Sequence, residues 1–241
     1  MSRRRWPAWR QRALLGLVSA TLVMVAWLAA PVVLRHLAFF RVRQIELVGV
    51  RNLTPDAVIA ALRLDPGASV FSDTRLLADR VRGLAGVAQA RVVRHLPAAL
   101  TIDVQEVEPA ALMAAPDGKR LEVVDAGGRT LPFDPARSGL DLPIAARGDS
   151  GVVGVLALIQ AVDPALYQTI NGARGLAHGD VLLELGSRRV LVRRDAGPEV
   201  IRAVVLVAQD LAAKGRPYVE LDARFAGQVV VRQRATVGRG A

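Results

Sequence analysis

Ser150 stands in Gly148-Asp149-Ser150-Gly151, a setting in which a serine hydroxyl could attack a carbonyl if a base lay within hydrogen-bond reach. Three histidines are available. His36 abuts a long apolar run, His95 sits in the turn signal Arg94-His95-Leu96-Pro97, and His178 sits in Ala177-His178-Gly179-Asp180. A hydrolase would use Ser150 with His178 or Asp180. The plainer reading makes Asp149 or Ser150 the N-cap of an apolar helix that opens at Val152. Glu106 and Glu108 form a second pair. On a strand they share a face, which suits a solvated strand end, and no pocket signal supports acid-base work. With no cysteine and isolated histidines, thiol chemistry and a transition-metal site are not expected. No Gly-rich turn followed by Lys offers a phosphate cradle. The expectation is no catalytic residue, no metal and no cofactor, which leaves binding surface as the function to locate.

The elements that would position such a surface begin with a membrane run. Ala13 to Leu34 are 22 uncharged residues, roughly 33 Å as a helix and enough for a hydrocarbon core of about 30 Å. Arg3, Arg4, Arg5, Arg10 and Arg12 precede it without an acidic residue, and Arg35, Arg41 and Arg43 follow more sparsely. Basic flanks stay cytoplasmic, so the large C-terminal part is expected outside. A cleaved signal peptide would have a shorter apolar region and a small-residue cleavage site; here Leu28 or Trp27 occupies the third position back. Half of the net charge of +10 sits in that tail, and beyond it 27 basic residues face 22 acidic ones. No basic run interleaved with aromatics marks a nucleic-acid surface. Gly16-x-x-x-Ala20 and Ala26-x-x-x-Ala30 would permit close approach of another helix.

Beyond the run, Arg43 to Gly49 reads as a strand. Thr54-Pro55-Asp56 starts a helix to about Leu64. Ser72 or Asp73 caps a second helix with Leu76, Leu77, Val81 and Leu84 on its apolar face, and Gly86 closes it. Val87 to Arg94 and Leu100 to Gln105 are strands around the Leu96-Pro97 turn. In the second block Leu121 to Val124 is a strand and Val152 to Val162 a helix, after a long loop from Pro132 to Gly154. Val181 to Leu185 and Arg189 to Arg193 form a hairpin, and Pro198 to Lys214 is a helix lined by Ile201, Val204, Val205, Ala208 and Leu211. Tyr218 to Ala223 and Gln228 to Gln233 are the last strands, and Thr236 to Ala241 reads as a frayed tail.

The order strand, helix, helix, strand, strand resembles the POTRA domain, and the whole layout resembles the FtsQ/DivIB family of bacterial cell-division proteins. The residues that carry the likeness are Phe40-x-Val42 and Ile45-x-Leu47-x-Gly49, then Val87-x-x-Ala90-x-Val92-x-Arg94-x-Leu96-Pro97. Further on come Leu100-x-Ile102-x-Val104-x-Glu106-x-x-Pro109-x-Ala111, Val123-Val124-Asp125-x-x-Gly128, and Leu221-Asp222-x-Arg224-Phe225. The resemblance implies an α+β fold class: a basic cytoplasmic tail over 1–12, a single N-terminal transmembrane helix over 13–34, a POTRA domain (β-α-α-β-β) over 35–108, a mixed β-rich domain over 109–234 and a flexible tail over 235–241. It implies a non-catalytic, single-pass inner-membrane protein at the division septum, its C-terminal domains periplasmic.

A terminal strand with little chain after it is a natural site for strand addition. Phe225 at the preceding turn is either an exposed anchor or core filling. The resemblance implies binding of FtsB and FtsL, the small coiled-coil division proteins, among other divisome components. By position the interface is Arg224, Phe225, Gly227, Val229, Val230 and Val231. The turn Ala226-Gly227-Gln228 is less polar than the family's usual one. A recruitment surface is implied on the POTRA block at Arg43, Ile45, Leu47, Gly49 and Thr54. The rival readings are the Ser150 hydrolase and a POTRA module of a secretion or outer-membrane assembly system. Such modules usually come in tandem before a barrel, and this chain has one block and no barrel-length alternation.

Overall fold

The computed structural model describes residues 16–25, 27 and 38–233. Residues 16–25 are helical. Among the described residues no helix is long and apolar enough to cross a membrane. The run Ala13 to Leu34 extends past the described residues at both ends, and Arg3, Arg4, Arg5, Arg10, Arg12 and the tail beyond 235 lie outside them. The chain divides into two compact units. One takes Thr54–Gln105 with the described residues up to Val50; the other takes Arg51–Leu53 with Glu106 onward.

In the first unit β1 (Gln44–Val48) leads to α1 (Pro55–Leu62), α2 (Thr74–Arg82), β2 (Val87–His95) and β3 (Ala99–Glu106). The sheet order is β1-β3-β2, and β1 runs parallel to β3 with Gln44 opposite Ala99 and Val48 opposite Asp103. Alternation along β3 buries Leu100, Ile102 and Val104. These meet Val58 and Leu62 of α1 and Leu77 and Val81 of α2 in the unit's core.

α1 opens on Pro55 with Asp56 in its first turn, but the Thr54 side chain makes no capping bond. The helix stops at Leu62, two residues before the expected end, because Arg63 turns left-handed (φ 47°) and the Arg80 guanidinium donates to the Leu62 and Arg63 carbonyls at 2.8 and 3.2 Å. Those bonds satisfy acceptors a longer helix would have satisfied itself. Asp73 rather than Ser72 caps α2, accepting from the Arg75 and Leu76 amides. Leu76 is exposed and Leu84 half-buried, so the expected apolar stripe is corrected to Leu77, Ala78 and Val81. Leu77 and Val81, four apart, set the inward direction, and Leu76 lies about 100° around the helix from Leu77.

The second unit is an eight-stranded mixed sheet. Its strands are β4 (Ala111–Ala114), β5 (Leu121–Val124), β6 (Ile144–Ala145), β7 (Gly172–Gly175), β8 (Asp180–Leu185), β9 (Arg188–Arg193), β10 (Tyr218–Asp222) and β11 (Val230–Gln233). They lie in the order β11-β10-β9-β8-β7-β6-β4-β5. Its helices are α3 (Pro135–Ser138), α4 (Ser150–Val162), α5 (Pro164–Gln168) and α6 (Pro198–Ala213). Val152, Val153, Val155, Leu156 and Ile159 of α4 and Ile201, Val204 and Leu211 of α6 pack into one core with the inward residues of the sheet. Each such side chain contributes about 1.5–3 kcal/mol by leaving water.

The stretch from Pro132 to Gly154 is not one long loop. It holds α3, whose first turn is capped by Asp134, then the two-residue β6 and the opening of α4. β6 bridges β4 and β7, pairing Ile144 with Leu112 and with Gly172. Two residues carry no period, so such a strand exists through its neighbours on both sides. The same holds for β7, Gly172-Ala173-Arg174-Gly175, and for β4, neither of which alternation announces.

Candidate functional site

β11 is the outermost strand of the large sheet and pairs with β10, antiparallel, with Leu221 opposite Val231 and Asp222 opposite Val230. Among the described residues nothing pairs with its second edge. The direction of its backbone groups follows from the next strand in. β10 runs parallel to β9, and the Ala223 amide just beyond it donates to the Leu191 carbonyl at 2.8 Å. Backbone groups alternate sides along a strand, so Leu221 also faces β9, while Glu220 and Asp222 face β11. Val230 and Arg232 are then tied inward to β10, and the N–H and C=O of Val231 point to the open edge. Side chains alternate too. Val229 and Val231 pack against the core, whereas Val230 is 47% exposed.

The turn over 223–229 carries Phe225, which is 54% exposed and resolves the sequence alternatives in favour of a surface aromatic. The Gln228 amide donates to the Phe225 carbonyl at 3.2 Å, and Gly227 takes a left-handed φ of 71°, which glycine adopts without a side-chain penalty. Arg224 is committed internally. Its Nε and Nη2 bind the two oxygens of Asp222 at 2.8 and 2.6 Å, and its Nη1 binds Asp180 at the start of β8 at 2.6 Å. The guanidinium is thus a clamp across the sheet end, and the Phe225 turn is presented from it.

A second set of charges fixes the register. The buried Glu220 carboxylate lies 4.0 Å from Arg189 on β9 and 3.1 Å from Arg232 on β11. A one-residue slip of β11 would carry Arg232 to the other face and bury Val230 in its place. Asp222, Glu220, Arg189 and Arg232 are not among the site residues the sequence offers, and Asp180 enters there only as a partner for Ser150. Their charges are plain in the sequence, but the pairing of β9, β10 and β11 that joins them is not.

The Arg224 hydrogen bonds hold the buried Asp222 carboxyl below its ordinary range and raise the guanidinium still further. A carboxyl depressed in the fold stabilises at pH above its unfolded value near 3.8, and that contribution is lost as pH falls through the lower folded value. Asp222→Asn is expected to cost about 2–3 kcal/mol at neutral pH, by leaving Arg224 half-paired, and less as pH falls through this range. Urea unfolding of both proteins from pH 7 down to acid measures it; parallel losses at every pH would show that the charge does not matter.

On the first unit, Arg43, Gly49 and Thr54 of the implied recruitment residues are exposed, Ile45 and Leu47 are half-buried on β1, and Gly49 lies against the backbone of Val104. Among the described residues β1 pairs only with β3, so its outer edge has no strand beside it.

The other candidates are engaged structurally. Asp149 accepts from the Val152 amide at 3.2 Å as the N-cap of α4 and binds Arg194 at 2.5 Å. Asp180 is held by Arg224, and His178 sits in a short turn with φ 63°. Among the described residues Ser150 has no hydrogen bond to a histidine, and no group of three His, Cys, Asp or Glu could hold a metal ion. Glu106 is not a solvated strand end. Its carboxylate accepts from the amides of Arg51, Asn52 and Leu53 and from the Asn52 side chain at 2.8–3.0 Å, a nest of donors around one anion. Glu108 accepts from Gln160 at 3.0 Å.

Residues 40–106 match the family described as "POTRA domain, FtsQ-type". The chain is 31% identical over 94% of its length to the cell division protein FtsQ of Rhodothermus marinus, of which it covers 89%. It is 26% identical to FtsQ of Mycobacterium tuberculosis over 75% of its own length, and spans 58% of that relative. With FtsQ of Anaeromyxobacter it shares 34% identity over 43% of its length, 35% of the relative.

Proposed function

This chain belongs to the FtsQ family of cell-division proteins, and from that premise we propose that it is a non-catalytic scaffold of the bacterial division machinery that captures a partner strand on the open edge of β11. It is anchored once in the inner membrane through Ala13 to Leu34, with its basic tail in the cytoplasm and both folded units in the periplasm at the septum. The partners are the FtsB- and FtsL-type proteins that the resemblance implies, with further divisome components meeting the POTRA unit.

The observation that carries this reading is the β11 edge itself. An edge strand whose outward groups are unpaired is a template for another chain unless charge, proline or a covering element blocks it. Here the flanking charges are neutralised: Arg232 sits on Glu220 and Arg224 is clamped by two aspartates. Exposed Phe225 and Val230 offer an aromatic and an aliphatic contact beside the open backbone.

Phe225→Glu is expected to weaken partner capture by about 10–100-fold, since an exposed aromatic anchor is lost and a charge must be desolvated. Its effect on unfolding should stay within about 0.5 kcal/mol, because the ring is not core. Co-purification with tagged FtsB, alongside cell length after depletion of the native protein, is the test. Wild-type capture and normal septation by Phe225→Glu would remove Phe225 from the interface; normal length and uniform membrane signal on full depletion would sink the division role.

A further inference from the structure

We propose that the end of the first unit where β1 begins docks onto anionic phospholipid headgroups, so that the POTRA unit lies on the membrane surface instead of swinging free above it. The inference rests on reading Ala13 to Leu34 as a retained anchor.

Three segments meet at this end. The Val42 amide donates to the Ala68 carbonyl at 2.9 Å, the Val70 amide to the Phe40 carbonyl at 2.8 Å, and the Arg43 amide to the Ala98 carbonyl at 2.9 Å. The start of β1, the loop before α2 and the β2–β3 turn are thus fixed side by side. Phe40 and Phe71, half-buried with ring centres 5.1 Å apart, form the base. Phe39 stands edge-on to Phe40 and is 59% exposed, and Leu96 at the neighbouring turn is 65% exposed. Two large apolar side chains project from one end of a small domain.

Arginines surround them. Arg41, Arg43 and Arg94 are exposed here, against Asp65 and Asp73, and Asp73 is already the α2 cap. Among the described residues none of these arginines is in an ion pair. Arg43 donates to the Ala38 carbonyl and Arg94 to that of Ser72, which leaves most of their donors for other acceptors. Apolar tips within a ring of guanidinium groups match a lipid interface: the tips enter the headgroup layer and the cations meet phosphates.

The tether selects that occupant. Four residues separate Leu34 from Phe39, and the five steps between them span at most about 18 Å of extended chain. Phe39 cannot leave the neighbourhood of the bilayer, so docking needs only a tilt of the unit. Each arginine near an anionic surface shifts the docked-to-free ratio by about fivefold.

The chain has no cysteine, so one introduced thiol carries one label. The full chain bearing bimane at His95→Cys, or at Gln89→Cys on the opposite end of β2, is reconstituted into vesicles with nitroxide-headgroup lipid, with or without phosphatidylglycerol. Quenching at position 95 should exceed that at 89 several-fold with phosphatidylglycerol, and fall to the level of 89 without it or with Arg41→Gln and Arg94→Gln together. Equal quenching at both positions, or quenching at 95 indifferent to lipid charge and to both substitutions, overturns the proposal. A carbonate wash separates the premises. If the chain is stripped from the vesicles, the anchor has failed and the proposal falls with it; if the chain stays and 95 is not quenched, the docking surface alone fails.

Discussion

Val231→Pro abolishes partner capture while the two units stay folded: that is the outcome the β11 geometry dictates. The Val231 backbone faces the open edge, so proline there deletes a donor offered to the incoming strand and sets its ring where that strand would lie. One lost main-chain bond costs about 1 kcal/mol net and the clash adds more, so capture should fall by at least about 100-fold. Packing of the half-buried side chain changes too, and Val231→Thr is the control, since it keeps the amide and the branched shape. Titration of a labelled FtsB segment against each variant, with urea unfolding in parallel, gives both readouts. Proline at Val230 acts differently. Its amide serves the ladder to Asp222, so that change frees β11 from the sheet and confounds binding with unfolding. Undiminished capture by Val231→Pro would show that the partner does not add as a strand.

Gly49→Ala should collapse the first unit and spare the second. Gly49 has a φ of +83°, and a Cβ there would be driven into the Val104 carbonyl oxygen of β3. Both sides of that contact are backbone, so no rotamer change relieves it. Positive φ costs an alanine about 1 kcal/mol or more, and separating β1 from β3 forfeits ladder bonds besides. A loss of more than about 3 kcal/mol is expected. Hydrogen exchange should show β1 to β3 losing protection while β8 to β10 keep theirs; unchanged protection in β1 would mean that the strand can shift at little cost. The same substitution asks whether Gly49 belongs to a recruitment surface, because a surface role would weaken recruitment with the fold intact.

Periodicity made the first unit legible. β1, both helices, β2 and β3 lie where alternation, Pro55, Asp73 and the Leu96-Pro97 turn place them, and errors were confined to helix ends and to the side on which Leu76 falls. The second unit was legible only where elements are long: α4, α6, the β8–β9 hairpin and β10. β4, β6 and β7 have four residues or fewer, and β7 has glycine at both ends. Their state is decided by strands remote in sequence. The edge place of β11, next to β10 alone among the described strands, is a matter of sheet order that local pattern does not carry. The alternation that turns the Val231 backbone groups to the edge, and the clamp that ties Arg224 to Asp222 and Asp180, depend on which strand lies beside β10 and in which direction it runs.

If β11 captures the partner as proposed, its position along the chain acts as proofreading. Every strand from β4 to β10 precedes it, so a polypeptide cut short before Val230 could complete the rest of the sheet and still lack the capture edge. Such a fragment would also be self-silencing. With Arg232 missing, β10 would border solvent with Glu220 stripped of its nearer cation, and a carboxylate facing an unpaired edge discourages a strand from joining it. Under that reading, chains ending before Val230 would be inert and would leave the partner free for those that carry β11.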